Sequence, residues 1–409
     1  MTAVGLDFGT SNSAIALPSG EVIALDGTSR MFRSVLFFPE DSRETFAGKA
    51  AIDEYLARSN GRFIQSVKSW LPSATFNSTV IRGRPMRLDE LVALLLRRIR
   101  EIAEHKTGGP IDRVVLGRPA RFSLDAERDA AAEARLVDAA KLAGYTDISL
   151  LIEPIAAALA YEATLTKDEL VLVADFGAGT SDLTLMRVGP TRRRGGDRRG
   201  DVVASGGVPI GGDRFDAEIM RHKLLPKFGA GSTYEVMGKR MTMPMAILGK
   251  LCAWHEMSFI KEKSTMQLLE QMLHTSDNVR AIEALVDLVE ENLGFRLFRA
   301  IEAAKIELST KSSTRIAFDE AHVVLDEQLT RTEFDRFCQP LLGTLDDAVA
   351  DLLGRADQAA DGVDAVFLTG GSSQIPSVQM LFEQRFGKDK LRSADAFASV
   401  AEGLGRATG

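Results

Sequence analysis

The chain has 409 residues, 45% apolar and 26% charged, with a net charge of −7; it is too long for one core, suits two lobes, and its acidic balance argues against general binding to nucleic acid or anionic membrane. Its two cysteines, Cys252 and Cys338, lie far apart in no metal-ligand spacing, which argues against a disulfide scaffold and makes a reducing cytosol the natural compartment. Met1 to Gly9 lacks the basic start and apolar core of a signal peptide, and no run of about 18 apolar residues occurs, so a cytoplasmic protein without a membrane span is expected.

In chain order, Val4 to Ser11 followed by Ala14 to Leu17 reads as strand, Gly-containing turn, strand. Asp89 is expected to cap a helix that carries Leu91, Leu94, Leu95, Ile99 and Ile102 on one stripe. A short strand at Val114 to Leu116 is halted by Pro119, and Asp125 to Ala143 reads as a helix. Leu150 to Ile152 leads into a helix beginning Glu153-Pro154, where Pro sits well, and its Ala156-Ala157-Ala158 run gives a thin face for close packing. Val171 to Ser181 then repeats the opening pattern of strand, Gly turn, strand. The two Asp-Phe-Gly triplets place their carboxylates 175 − 7 = 168 positions apart, about one lobe of chain, which reads as an internal duplication with one phosphate loop per lobe.

The second half opens with a hairpin whose tip, Thr191 to Asp201, holds five arginines and reads as a solvated loop, with an acidic partner as the alternative. Met220 to Gly294 reads as mostly helical; Met237, Met241, Met243 and Met245 are expected to fill an irregular core, a pliable binding surface being the alternative. Leu293, Leu297, Ile301, Ala304 and Leu308 form a helical stripe, and Val366 to Leu368 runs into Thr369-Gly370-Gly371-Ser372-Ser373.

A triphosphate needs backbone N–H groups that approach closely, which Gly permits, and hydroxyls as further donors. Gly9-Thr10-Ser11 and Gly177-Ala178-Gly179-Thr180 offer both, and Asp7 and Asp175 at the heads of these loops can hold a hydrated Mg²⁺, an ion that usually takes only one or two carboxylates. The Asp-Phe-Gly triplets do not make a protein kinase: no His-Arg-Asp catalytic loop exists and a strand pattern follows each triplet. There is no Walker A sequence, and the five histidines form no hydrolase triad pattern.

Five segments occur in order: Gly5-Leu6-Asp7-Phe8-Gly9-Thr10-Ser11-Asn12-Ser13, Glu153 to Ala158, Asp175 to Asp182, Gly211-Gly212-Asp213-Arg214-Phe215-Asp216, and Leu368 to Pro376. Together they resemble the nucleotide-binding domain of the DnaK-type heat-shock chaperones, and more closely its short YegD-like members, over nearly the whole chain. The resemblance implies an α/β protein with the actin-like ATPase fold: two lobes of duplicated ribonuclease-H-like topology, each split into two subdomains, around a nucleotide cleft. It implies lobe I over residues 1–168, lobe II over 169–395 with a helical insertion near 220–300, and a C-terminal helix over 396–409 that returns to lobe I.

Carried over by motif, Asp7 and Asp175 correspond to carboxylates that reach Mg²⁺ through water. Thr10, Ser11, Asn12, Gly9, Gly177, Ala178, Gly179 and Thr180 correspond to the phosphate cradle. Lys68 corresponds to the lysine that orients the attacking water, a surface lysine being the alternative; Glu153 and Asp182, with Thr180, to groups that position that water and its proton. Gly211, Gly212 and Asp213 belong to a matched nucleotide motif. Glu302, Lys305 and Ser309, at i, i+3 and i+7 of one helical face, correspond to ribose and adenine contacts, with an ordinary Glu302–Lys305 ion pair as the alternative. Gly370, Gly371 and Ser372 correspond to the loop beneath the adenosine.

Three positions depart from the family: Ile306 and Gln374 replace arginines near the adenosine, and Ala178 replaces a glycine. Weaker or differently tuned adenine binding is therefore expected. After Gly370 the chain runs only to Gly409, with no apolar linker and no β-rich substrate domain, so coupling of ATP to client release is not expected within this chain. The leading expectation is a slow Mg²⁺-dependent ATPase that binds ATP and ADP, whose nucleotide state controls lobe closure and the binding of protein partners or co-chaperones. The alternatives are a small-molecule kinase of the same fold, an actin-like filament protein and a non-hydrolysing nucleotide sensor.

Overall fold

The computed structural model describes residues 2–58, 60–123, 125–192, 198–392 and 399–409. The chain divides into two compact units, one formed by Met1–Pro209, Asp346–Ser373 and Gln379–Gly409, the other by Ile210–Leu345 and Gln374–Val378.

The first unit contains two five-stranded sheets. Strands β1 (Thr2–Phe8), β2 (Asn12–Ala16), β3 (Phe32–Arg33), β4 (Ile111–Arg118) and β5 (Asp147–Ile152) form one, in the order β5-β4-β1-β2-β3. Strands β6 (Glu169–Phe176), β7 (Ser181–Val188), β8 (Val202–Val208), β9 (Ala365–Thr369) and β10 (Leu391–Arg392) form the other, in the order β8-β7-β6-β9-β10. In both, the central strand runs antiparallel to the strand that follows its Gly turn and parallel to a strand on its other side. The outermost parallel pairs correspond as well, β4 with β5 and β9 with β10. The repeated loops thus belong to repeated sheets, as the duplicated sequence pattern predicts.

Leu170 to Ala174 in β6 are all buried, the continuous apolar run of a strand covered on both faces. In β1, Val4, Leu6 and Phe8 pack with Val114 and Leu116 of β4, with Leu91, Leu95 and Ile99 of helix α1 (Leu88–Thr107), and with Ala132, Leu136 and Ala139 of helix α2 (Ala126–Leu142). Helix α1 starts differently from expectation. Asp89 lies inside its first turn and pairs with Arg87, while Glu90 Oε2 accepts the Arg87 N–H at 2.7 Å. Asp125 does cap α2, accepting the Glu127 and Arg128 N–H groups at 3.0 Å each.

Helix α3 (Glu153–Glu162) has Pro154 in its first turn as expected, and its small face is used. Ile155, Ala156, Ala157 and Ala158 share one cluster with Val171 and Val173 of β6, and with Val400 and Leu404 of the C-terminal helix Ser399–Arg406. Gly403 approaches so closely that a Cβ there would lie 1.9 Å from the Ala156 carbonyl oxygen.

Within the arginine-rich tip, Arg198 departs from the solvated loop expected there, while Arg199 is exposed as expected. Arg198 is buried: its two Nη atoms each donate to Glu162 at 2.8 Å, and its Nε donates to Asp201 at 2.8 Å. Arg199 reaches Glu133 of α2 at 2.9 Å, and Arg192 pairs with Asp168 and Asp201. Acidic residues of the chain itself therefore anchor these arginines; Arg193 and Arg194 lie outside the described residues.

The second unit carries helices α4 (Gly212–Ile219) and α5 (Gly294–Leu308) and two antiparallel hairpins. The expected stripe Leu293, Leu297, Ile301, Ala304 and Leu308 is buried throughout. The region expected to be mostly helical contains a hairpin, Thr233–Val236 with Lys239–Thr242, whose turn residues Met237 and Gly238 have φ of 50° and 73°. Left-handed conformation at both turn positions is what a type I′ two-residue hairpin loop requires. Of the four methionines expected in a core, only Met243 is buried; Met237, Met241 and Met245 are exposed. No described helix is long and apolar enough to cross a membrane.

Candidate functional site

The chemistry gathers at the C-terminal ends of the two central strands. Asp7 and Asp175 occupy corresponding places, one residue before the Phe that closes β1 and β6. Lys68 comes from a short 3₁₀ turn, Val67–Trp70, entered through Ser66 in the left-handed region at φ 56°. Glu153 opens α3 directly after β5. Asp182 lies on β7 directly across from Asp175.

Lys68 and Glu153 form a buried ion pair, Nζ to Oε1 at 2.6 Å. Burial alone would lower the lysine pKa, but Glu153, Asp7 and Asp175 outweigh it and the pKa is raised. This lysine is thus a fixed cation rather than a surface lysine. The carboxylates around it are frustrated. Burial, reinforced by Glu153 and Asp175 and opposed by Lys68, pushes Asp7 up to about 8. Burial and the charges of Asp175 and Glu153 push Asp182 up to about 7. Asp175 is likewise raised by burial and Glu153, while a hydrogen bond from Thr369 works against the shift. Like charges directly opposite across a strand pair repel, and one ammonium among four carboxylates leaves the site short of positive charge.

The two Gly turns lie beside these carboxylates. Gly9 is held so close to its own turn that a Cβ would meet the Asn12 carbonyl oxygen at 2.0 Å. Ser11 accepts the Ser34 N–H through its carbonyl at 2.9 Å, and Asn12 Oδ1 accepts from Arg33 at 3.2 Å. In the other turn the Gly177 N–H donates to the Thr180 carbonyl at 2.9 Å, and exposed Thr180 lies 3.3 Å from Asp182 Oδ2. Gly370 has φ 79°, and a Cβ on it would fall 2.2 Å from the Phe176 carbonyl oxygen. Only glycine fits there, so the chain passes directly against the end of β6 at Gly370 as it leads into Gly371 and Ser372.

Within the second unit, Gly211 precedes α4, Gly212 and Asp213 begin it, and Glu302 and Lys305 lie on α5, with Ser309 just past its end. Lys305 Nζ donates to Asp216 Oδ2 at 2.9 Å and to the Gly212 carbonyl at 3.1 Å, so the motif at 211–216 and the α5 face come together. Glu302 lies 3.6 Å from Arg299. Burial raises Asp216 to about 6 against the pull of Lys305, and its Oδ1 is buried with no hydrogen-bond partner among the described residues. Ile306 is 61% exposed on the same helix.

Two contacts of these clusters escape a reading of the sequence. Thr369 donates its hydroxyl to Asp175 Oδ1 at 2.7 Å, across 194 positions of chain. Asp216 lies within the 211–216 motif, yet its partner Lys305 is 89 positions away. Both residues lie inside motifs that the sequence shows, 211–216 and 368–376, and what stays hidden is the partner of each.

Among known families, the one described as Hsp70 protein matches residues 72–253 and 269–407. A "Chaperone protein DnaK" of Thermosipho africanus is 29% identical over 413 residues, covering 98% of this chain and 57% of that relative. The protein of the same description from Thermus thermophilus is 29% identical over 432 residues, covering 98% and 59% respectively. The chain thus spans little more than half the length of these curated relatives. With the family match over most of its length and a sheet topology that repeats itself around paired Asp-Phe-Gly loops, the chain belongs to the Hsp70 family and has its actin-like ATPase fold.

Proposed function

We propose that the chain binds ATP and ADP together with Mg²⁺ and hydrolyses ATP slowly, with nucleotide state controlling lobe closure and the binding of a protein partner or co-chaperone. The observation that carries this reading is the buried Lys68–Glu153 ion pair set among Asp7, Asp175 and Asp182. Such a cluster, short of positive charge, fits a divalent cation, and it lies beside two loops that offer backbone N–H groups close to where phosphates would sit. No three side chains among the described residues converge as a direct metal site, so the proposed Mg²⁺ is held through its waters by Asp7 and Asp175. Bound there, the ion would offset charge on the phosphate oxygens.

Phosphoryl transfer to water asks a protein mainly for positioning and electrostatics. In this reading Lys68 donates to the attacking water and holds it in line, while Glu153 and Asp182 accept its hydrogen bonds and its proton. Thr10, Ser11, Gly177, Gly179 and Thr180 cradle the phosphates. The nucleoside roles of Glu302, Lys305 and Ser309, and of Gly370 to Ser372, rest on family membership, and Ile306 and Gln374 imply a looser hold on adenine.

Calorimetric titration with ATP tests the proposal. Binding in the micromolar range with Mg²⁺, weakened at least roughly tenfold in EDTA, is expected. No binding, or binding indifferent to Mg²⁺, would overturn the reading; nanomolar affinity would overturn the looser adenine contact.

A further inference from the structure

The duplicated sheets differ at one position beside their carboxylates. In the second sheet, parallel strands β6 and β9 place Asp175 opposite Thr369. Thr369 is buried, and its Oγ1 donates to Asp175 Oδ1 at 2.7 Å. In the first sheet the register of β1 and β4 runs through Leu6 and Leu116, so the position matching Thr369 beside Asp7 is Gly117. A Cβ at Gly117 would lie 3.0 Å from Glu153 Cγ. The first sheet thus carries no side chain at this position, which Glu153 and Leu404 crowd, while the second places a hydroxyl on its aspartate. Among the described residues Asp7 has no side-chain hydrogen bond of this kind.

We propose that Thr369 is a positioning residue for Asp175, an inference that rests on the Mg²⁺-nucleotide reading above. Its hydroxyl occupies Oδ1, fixes the carboxylate rotamer and leaves Oδ2 for a water of the hydrated cation. Asp175 is then the preset acceptor of the pair, and Asp7 adjusts when the ion arrives. A hydroxyl behind a metal-binding carboxylate acts on metal affinity and leaves nucleotide contacts alone.

The test compares wild type with Thr369→Val, which keeps shape and removes the donor, and Thr369→Ser, which restores it. The readout is the Mg²⁺ concentration at half-maximal retention of a fluorescent ADP, together with ADP affinity in EDTA. The valine variant should need roughly tenfold more Mg²⁺, with ADP affinity in EDTA unchanged, and serine should return the midpoint to about the wild-type value. If valine does not fold, Thr369→Ala serves as the variant without a hydroxyl. A wild-type midpoint in the valine or alanine variant overturns the inference while leaving nucleotide binding intact. A serine variant as impaired as valine overturns it too, by assigning the effect to packing. Wild type without Mg²⁺-dependent retention overturns both this inference and the function it rests on.

Discussion

The excess of carboxylates at the site predicts an unusual dependence of stability on pH. Without a divalent cation, the folded state holds protons on Asp7 up to about 8 and on Asp182 up to about 7. The unfolded chain releases them near the ordinary aspartate value of 3.8. Between these limits the native state binds more protons than the unfolded state, so stability falls as pH rises through this window. A shift of one pKa unit corresponds to about 1.4 kcal/mol. The groups share their protons and Asp7 keeps some contact with solvent, so the metal-free protein should lose only about 2–3 kcal/mol between pH 5 and 8. Asp182→Asn removes one competing charge and should recover about 1 kcal/mol at pH 8 in EDTA. Urea unfolding in EDTA across this range, repeated with Mg²⁺, measures both effects, and Mg²⁺ should flatten the profile. Stability that is constant or rises with pH in EDTA would refute the reasoning, as would a loss of stability in the asparagine variant at pH 8.

The buried pair between Arg198 and Glu162 predicts that Arg198→Ala, which takes the guanidinium away from a buried carboxylate, costs about 3–5 kcal/mol in chemical unfolding. Gly403→Ala drives a Cβ into the Ala156 carbonyl oxygen and should lower stability by at least about 2 kcal/mol. The helical Gly354, where a Cβ meets nothing within 4 Å, should instead gain about 0.5–1 kcal/mol on change to Ala, and thermal unfolding of the two variants gives opposite signs if the packing is as described.

Periodicity and short motifs expose the parts of this molecule that are local. Asp7 and Asp175 advertise themselves because strand, glycine turn and strand lie next to one another in the chain, and the buried stripe from Leu293 to Leu308 follows from the helical period. Whatever depends on strand register stays hidden. The contact of Thr369 with Asp175 and the clearance at Gly117 require knowing which strands are neighbours. The same holds for Arg198, which in sequence is one arginine of a polar tip and whose buried partner Glu162 ends a helix elsewhere in the chain. The hairpin at Thr233–Thr242 was legible in principle from Met237-Gly238 between alternating residues, but the surrounding methionines suggest helix and core. Lys305 shows the limit of helical spacing: its placement at i+3 from Glu302 is visible, whereas its bond to Asp216 depends on how α5 meets α4.

The most direct test of the central claim is single-turnover hydrolysis of ATP with Mg²⁺ and no acceptor, for wild type and Lys68→Ala. Loss of a preorganised donor to the attacking water should slow phosphate release by roughly 10²–10³-fold from a slow but measurable wild-type rate, while nucleotide still binds. Tight binding without phosphate release in wild type, or equal rates in the two proteins, would contradict the account.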